Sequence, residues 1–427
     1  MEAPLITDDA VVFGILMAIL GFVFYTSSKE AGFWKRFYTF IPALLMCYLL
    51  PSILATAGVI GVRWEEVNEA GELISGKTEL YNMAKLYLLP TALVLMTLSI
   101  DLKGIVNLGP KSLGMFLTGT VGIVLGGPVA ILIVSIFSPE TVGGAGPEAV
   151  WKGLATLAGS WIGGGANQAA MLEIYGYNQE KYGAMVLVDI VVANIWMAFL
   201  LYGVGRAASI DRWLKADSSA IDRLKNTVEA YTKGISKIPK LSDSMVILGI
   251  GFGATAASHL IAKGVKWLIA NHIPSLSDSV LNSTFFWIVV MATTIGIIMS
   301  FTRLRKWEGA GASRIGSVFI YVLVATIGMK MDLLSVLSQP GLLLVGFIWM
   351  AFHVALLVLV AKIIRAPFFF LAVGSKANVG GAASAPIIAA AFHPSLAPVG
   401  VLLAVLGYAL GTYGAIFCAQ LMELVSP

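Results

Sequence analysis

Asp189 is the acidic residue of this chain whose setting most demands a chemical reason. Met185 to Val188 precede it and Ile190 to Ala193 follow it, all of them apolar. A lone carboxylate in such a run loses its hydration, so it stays neutral unless a cation or donor meets it. Asp189 is therefore a candidate sodium ligand, proton carrier or partner for a buried base, with a purely structural hydrogen-bonding role as the alternative. Lys376 is the only basic residue between 367 and 392. It would either meet an anionic substrate, pair with a carboxylate, or snorkel to the cytoplasmic mouth of its segment. Asn194 follows Asp189 by five residues, about 140° around an ideal helix. The two share a site only if that helix is distorted.

Two glycine-rich stretches supply the other polar groups. The first, Gly159 to Ala170, reads Gly-Ser-Trp-Ile-Gly-Gly-Gly-Ala-Asn-Gln-Ala-Ala. The second, Gly374 to Pro386, reads Gly-Ser-Lys-Ala-Asn-Val-Gly-Gly-Ala-Ala-Ser-Ala-Pro. Gly163, Gly164 and Gly165 in the first, and Gly380 and Gly381 in the second, are expected to break helices and bare backbone polar groups. In hydrocarbon that is tolerated only beside protein or a wet cavity. Half-helix N-termini suit an anion and C-terminal carbonyls suit a cation. Ser160, Asn167 and Gln168 would add side-chain groups at the first break, and Ser375, Asn378 and Ser384 at the second. A sodium ion would sit near Asn167, Asp189 or Asn378. The competing account of the glycines is tight helix contact of the small-xxx-small type. Two matched stretches favour the breaks, since interrupted apolar segments in corresponding places mark transporter binding sites. Thr412 and Tyr408, late in the chain, are weaker candidates. So are Asp101, Thr97, His259 and His353, each of which reads more simply as packing or interface. No His, Cys and carboxylate group has metal-ligand spacing, no phosphate loop follows a strand, and no nucleophile has a base. Enzyme chemistry finds no support, and no cofactor is expected beyond a coupling ion.

The elements that must hold these residues are membrane helices. Of 427 residues 58% are hydrophobic and only 12% charged, against roughly 25% charged for a soluble domain. Mean hydropathy is +0.86. Ten Trp and thirteen Tyr suit the two interfacial belts. Cys47 and Cys418 both lie in apolar runs, which excludes a disulfide framework. Met1 to Ala10 carry no basic residue, so the first apolar run is expected to be a retained span. Twelve apolar segments are read, at roughly 11–26, 36–61, 81–100, 112–137, 150–176, 183–205, 243–262, 282–301, 315–330, 341–361, 367–392 and 396–423.

Loop charge sets the topology. Arg212, Lys215, Arg223, Lys225, Lys233, Lys237 and Lys240 make the 207–242 stretch cytoplasmic, while the Glu-rich loop from Arg63 to Glu79 belongs outside. Twelve plain spans would export the most basic loop. If 150–176 enters from outside and returns, and 367–392 does the same from inside, most of the 28 Lys and Arg fall on the inner face. Each half (1–206 and 243–427) then has five transmembrane helices and one re-entrant hairpin, with inverted topology. Gly163-Gly164 and Gly183 match Gly380-Gly381 and Gly400 at one common offset, and Ser99 to Leu102 match Lys330 to Leu333 more loosely. In the 207–242 linker, Ile221, Leu224, Val228 and Tyr231 fall at helical spacing, an interfacial amphipathic helix. The N-terminus is expected outside.

The first glycine stretch, with Asp189 and Asn194 in the next span, resembles the membrane family catalogued as domain of unknown function 819. The resemblance covers most of the chain. That family is grouped with the cation:proton antiporter/anion transporter superfamily, beside glutamate:sodium, citrate:sodium and bile-acid:sodium symporters. The resemblance implies an elevator, in which a mobile transport domain holding both hairpins moves against a static dimerisation scaffold. The Gly-Gly-His-Gly pattern of the glutamate carriers is absent, so glutamate is not inferred. The expectation is an all-α secondary transporter of the bacterial inner membrane, a homodimer among lipids with no nucleic-acid partner. It would carry a small organic anion, a carboxylate or amino-acid-like solute, with sodium or a proton. Two alternatives stand: a cation/proton antiporter without organic substrate, and a non-transporting receptor or scaffold.

Overall fold

The structure, a computed structural model, describes residues 4–67, 73–217, 239–273, 276, 280–331, 340–393 and 396–427. It is almost wholly helical. Helix α1 (Asp9–Ser27) starts where the Asp8 carboxylate accepts from the Val11 amide at 2.9 Å, a standard N-cap. Helices α2 (Gly32–Phe40) and α3 (Ala43–Thr56) meet at a sharp bend just before Pro42, which has no amide hydrogen with which to continue a helix. Strands β1 (Arg63–Val67) and β2 (Leu73–Lys77) then pair antiparallel, Arg63 opposite Lys77.

Helix α4 (Leu80–Met83) passes through one π-helical turn, Ala84–Leu88, into α5 (Leu89–Leu98). Pro90 has no N–H to offer the Leu86 carbonyl four residues back. That carbonyl is taken instead by His259 Nε2 at 2.9 Å. A carbonyl can only accept, so this ring nitrogen carries the proton. Helix α6 (Leu102–Asn107) is capped by Asp101, which accepts from the Gly104 amide at 3.1 Å and is ion-paired with Arg305. Helices α7 (Pro110–Ser135), α8 (Pro139–Val142), α9 (Val150–Tyr175), α10 (Tyr182–Val204) and α11 (Ala207–Leu214) complete the first half. The second half holds α12 (Leu241–His272), α13 (Thr284–Ser300), α14 (Ala312–Gly328), α15 (Gly341–Ile363), α16 (Phe368–Asn378), α17 (Gly381–Phe392) and α18 (Ala397–Val425).

Among the described residues six helices (α1, α7, α10, α12, α15 and α18) are long and apolar enough to cross a bilayer, or up to eight if bent pairs are joined. The chain is an all-α polytopic membrane protein. The number is below the twelve apolar segments read from the sequence because α13 and α14 are only 17 residues long and other runs are bent or broken. Segment 81–100 is divided by the π turn, and 150–176 and 367–392 are broken at glycine. The proposed amphipathic helix at Ile221 to Tyr231, and Asp332 and Leu333 of the looser repeat match, lie outside the described residues.

The helices pack in two groups. Helix α5 lies against α12, α13 and α14, and α14 also lies against α3. Helix α7 lies against α15, α16 and α18, while α9 and α17 lie against α18. Lipid is as apolar as Leu, so close approach of backbones rather than hydrophobic drive holds such helices together. At Gly163 and Gly411 a Cβ on either residue would reach the other's Cα, at 2.7 Å and 2.5 Å. That contact seats α9 on α18.

Candidate functional site

Helix α9 is two helices. At Gly164 the backbone adopts φ 74°, ψ −171°, a region open to glycine and closed to L side chains. The Trp151 and Tyr175 rings are 5.3 Å apart, whereas an unbroken helix would separate them by roughly 36 Å. A Cβ on Gly159 would lie 2.6 Å from the Asn167 carbonyl oxygen. The two halves therefore run side by side. Helices α16 and α17 repeat the arrangement: the chain turns at Val379 and Gly380 (φ 113°), and the Phe368 and Phe392 rings close to 5.8 Å. The residue offset between Gly163-Gly164 and Gly380-Gly381 also takes Trp151 to Phe368 and Tyr175 to Phe392.

Both ends of the first fold-back lie at one end of α10. Lys181 pairs with Glu148 at 2.8 Å, and the Asn178 amide donates to the Pro147 carbonyl at 2.8 Å. The second fold-back starts at the other end of α10, just beyond α11, where the Phe368 amide donates to the Asp211 carboxylate at 2.7 Å. Helix α10 is unbroken over its 23 residues, about 34 Å. The two fold-backs thus enter the molecule from opposite ends.

One stripe of α10 touches both. Asp189 Oδ2 accepts from Ser160 Oγ at 2.6 Å and Gln168 Nε2 at 3.3 Å, and its Oδ1 accepts from Trp161 Nε1 at 2.8 Å. The carboxylate thereby clamps residues from both halves of α9. One turn on, the Ala193 carbonyl accepts from Lys376 Nζ at 3.0 Å. A further turn along, Trp196 Nε1 donates to Ser375 Oγ at 2.8 Å. Positions i, i+4 and i+7 share a helix face. Asn194 is off that face: it is exposed and donates to the Ile190 carbonyl of its own helix at 2.8 Å. Without distortion in α10 it does not join Asp189.

Asn167 and Asn378 are held by matching clamps. Asn167 Nδ2 donates to the Gly163 and Tyr408 carbonyls at 3.0 and 3.3 Å, and its Oδ1 accepts from Thr412 Oγ1 at 2.5 Å. Asn378 Nδ2 donates to the Gly374 and Phe116 carbonyls at 3.0 and 2.9 Å, and its Oδ1 accepts from Thr120 Oγ1 at 2.8 Å. Each uses the carbonyl four residues back in its own helix. Each also uses a carbonyl and, four residues on, a threonine of the neighbouring long helix. Both amide hydrogens are consumed in each case, leaving only acceptor capacity for an ion. Thr412 also meets Thr293 at 3.0 Å.

Ser375 is additionally held by His353 Nε2 at 2.8 Å, while His353 Nδ1 lies 3.0 Å from the Gly119 carbonyl. Because that carbonyl only accepts, Nδ1 carries the hydrogen of the neutral ring. Ser375 then donates to Nε2 and accepts from Trp196. Ser384 Oγ is buried and has no hydrogen-bond partner among the described residues. Gly165 and Gly381 border the two turns. Asp101 is ion-paired with Arg305, and Thr97 donates to the Leu93 carbonyl of its own helix. Sequence reasoning did not single out Trp161, Thr120, Trp196 or the Ala193 carbonyl. Trp196 was within reach, since it continues the Asp189 stripe at i+7. Thr120 carried no signal. No group of His, Cys, Asp and Glu among the described residues has metal-site geometry.

The chain is similar to "Uncharacterized membrane protein YjcL" of Bacillus subtilis (strain 168), with 28% identity over 360 residues, 80% of this chain and 83% of that protein. The glycine stretches, the α10 stripe and the helices between them all lie inside one further match, a family model spanning residues 14–425. By that match the chain belongs to the family described as Protein of unknown function (DUF819).

Proposed function

We propose that this protein is a secondary active transporter that carries a small organic anion with sodium or a proton. The observation that carries the reading is the α10 stripe. One unbroken helix ties a glycine-turned fold-back from each end of the molecule, through Asp189 to the first and through Ala193 and Trp196 to the second. Broken helices that meet midway along a span are how membrane carriers bring backbone dipoles to a solute. In this reading the fold-backs are re-entrant hairpins in the inner membrane, the halves 1–206 and 243–427 are inverted repeats, and the linker 207–242 is cytoplasmic. The group built on α7, α9, α10, α15 and α16–α18 is the moving body. The group built on α3, α5 and α12–α14 is the scaffold and the dimer surface. The common offset linking the two aromatic closures supports the repeat.

Asp189 holds both halves of the first hairpin together, so a cation or proton that claims the carboxylate loosens that clamp. This couples ion occupancy to the shape of the solute site. The test is uptake of labelled carboxylates and amino acids into proteoliposomes under an imposed sodium or pH gradient. Asp189→Asn is expected to cut ion-driven uptake by about 10-fold or more, since a transfer of this kind depends on the ionised group. Undiminished ion-driven uptake removes the coupling role. Proton exchange with no added solute would instead identify an antiporter.

A further inference from the structure

Among the described residues, one ion pair joins the two helix groups. Lys85, on the π-helical turn before α5, meets Glu173, late in the second half of α9, with Nζ 2.5 Å from Oε2. The other pairs between described residues link neighbours within one group or its connecting segments: Lys77 with Glu79, Lys111 with Asp217, Lys181 with Glu148 and Arg305 with Asp101. The Glu173 side chain is 4% exposed and that of Lys85 26%. Each partner is also braced. Lys85 Nζ lies 4.9 Å from the centroid of the Phe285 ring of α13, a cation–π contact. Glu173 Oε1 accepts from Gln179 Nε2 at 3.2 Å, and that amide also donates to the hydroxyl of Tyr81, on α4. Lys330 Nζ in turn lies 3.5 Å from the centroid of the Tyr81 ring. Two cations and two aromatic rings on the α5 side thus receive a carboxylate and a carboxamide from the α9 side.

We infer that this pair is a latch between the two groups. Lys85 holds the second half of the first fold-back against α5, and it has to release Glu173 before one group slides past the other. Elsewhere the groups touch through neutral hydroxyls, Thr293 with Thr412 at 3.0 Å and Tyr48 with Tyr182 at 3.5 Å. A hydroxyl contact is exchanged for another at small cost. A carboxylate shut from water cannot part from its cation so easily, and the pair therefore biases the molecule toward the arrangement seen. That there is sliding to restrain rests on the transporter reading; the pairing does not.

The experiment reads the apposition of the groups as a disulfide. The Thr293 and Thr412 hydroxyls lie on α13 and α18. Thr293→Cys and Thr412→Cys are therefore combined in the full chain with Cys47→Ala and Cys418→Ala, and membranes are oxidised with copper phenanthroline. Cross-linking is expected to be fast in this parent. Lys85→Gln or Glu173→Gln should slow it about 10-fold, a modest share of what loss of one partner of a buried pair costs. Lys85→Arg should keep the parent rate, and Lys85→Glu together with Glu173→Lys should restore it. Parent-rate cross-linking in both glutamine variants overturns the latch. So does a monodisperse reversed pair that stays slow. If a glutamine variant does not stay monodisperse, the reversed pair decides alone, recovery supporting the latch and slow cross-linking overturning it. The assay needs no solute, so failure of every labelled solute to enter proteoliposomes while the latch survives would overturn transport alone.

Discussion

Asn167 and Asn378 look alike in the sequence, each beside a glycine turn, a setting that suits a solute or ion ligand. Their side chains bond their own helix, a neighbouring carbonyl and a threonine, which leaves only acceptor capacity for an ion. The position of each residue was legible from the glycines nearby. What each residue does was not, because the partners Thr120 and Thr412 lie hundreds of residues away in sequence and resemble any other helix threonine. Removing either carboxamide takes a donor from a carbonyl of the neighbouring helix and an acceptor from a threonine hydroxyl inside the protein. Asn167→Ala and Asn378→Ala are each expected to destabilise by about 1–3 kcal/mol, read as a fall in the melting midpoint of the detergent-solubilised protein. Asn194→Ala, exposed and bonded only to its own helix, should stay within about 0.5 kcal/mol of wild type. Equal losses at all three positions would show that the clamps contribute nothing particular.

Among the elements, the two glycine turns were the most legible, since adjacent glycines weaken a helix, although Gly126-Gly127 lie inside α7 without breaking it. The π turn in segment 81–100 was not. Pro90 announced a disturbed helix, but nothing near it told which group would take the freed Leu86 carbonyl. That partner, His259, comes from α12 in the other half of the chain. The residue read as ordinary packing is thus the repair of a proline defect. This gives a double-mutant cycle. His259→Leu should cost about 1–3 kcal/mol, because the Leu86 carbonyl is left unsatisfied. Pro90→Ala restores an amide donor to α5 and should recover part of that loss in the His259→Leu background, while doing little alone. The readout is again the melting midpoint, and strictly additive effects would disconnect the two residues.

At the scale of the molecule, loop charge predicted two faces, and the contacts place the corresponding loops at opposite ends of α10. The Arg63, Lys77, Glu180 and Lys330 side chains gather around one cleft of about 1080 Å³ beside the strand pair, at the end where the first fold-back opens. Lys111, Asp217 and the Arg365 carbonyl meet at the other end, where the second begins. The charge argument rests only on which loops are basic. It could not foresee which long helices the fold-backs lean on, since that depends on small residues such as Gly163 and Gly411 meeting across the chain. If the first end faces outward, a cysteine at Glu148 reacts with a membrane-impermeant maleimide added to intact cells, and one at Arg212 reacts only after permeabilisation. Both sites are exposed, and the native Cys47 and Cys418 are buried, so background labelling is low. Phe392, at the far end of the second fold-back, packs on Phe368; an Ile387→Cys probe, exposed on the same helix, should resist the reagent from either side if it faces lipid. Glu148→Cys and Arg212→Cys labelling from the same side would leave the fold-backs entering from one face, and an inverted pair of hairpins would no longer describe this chain.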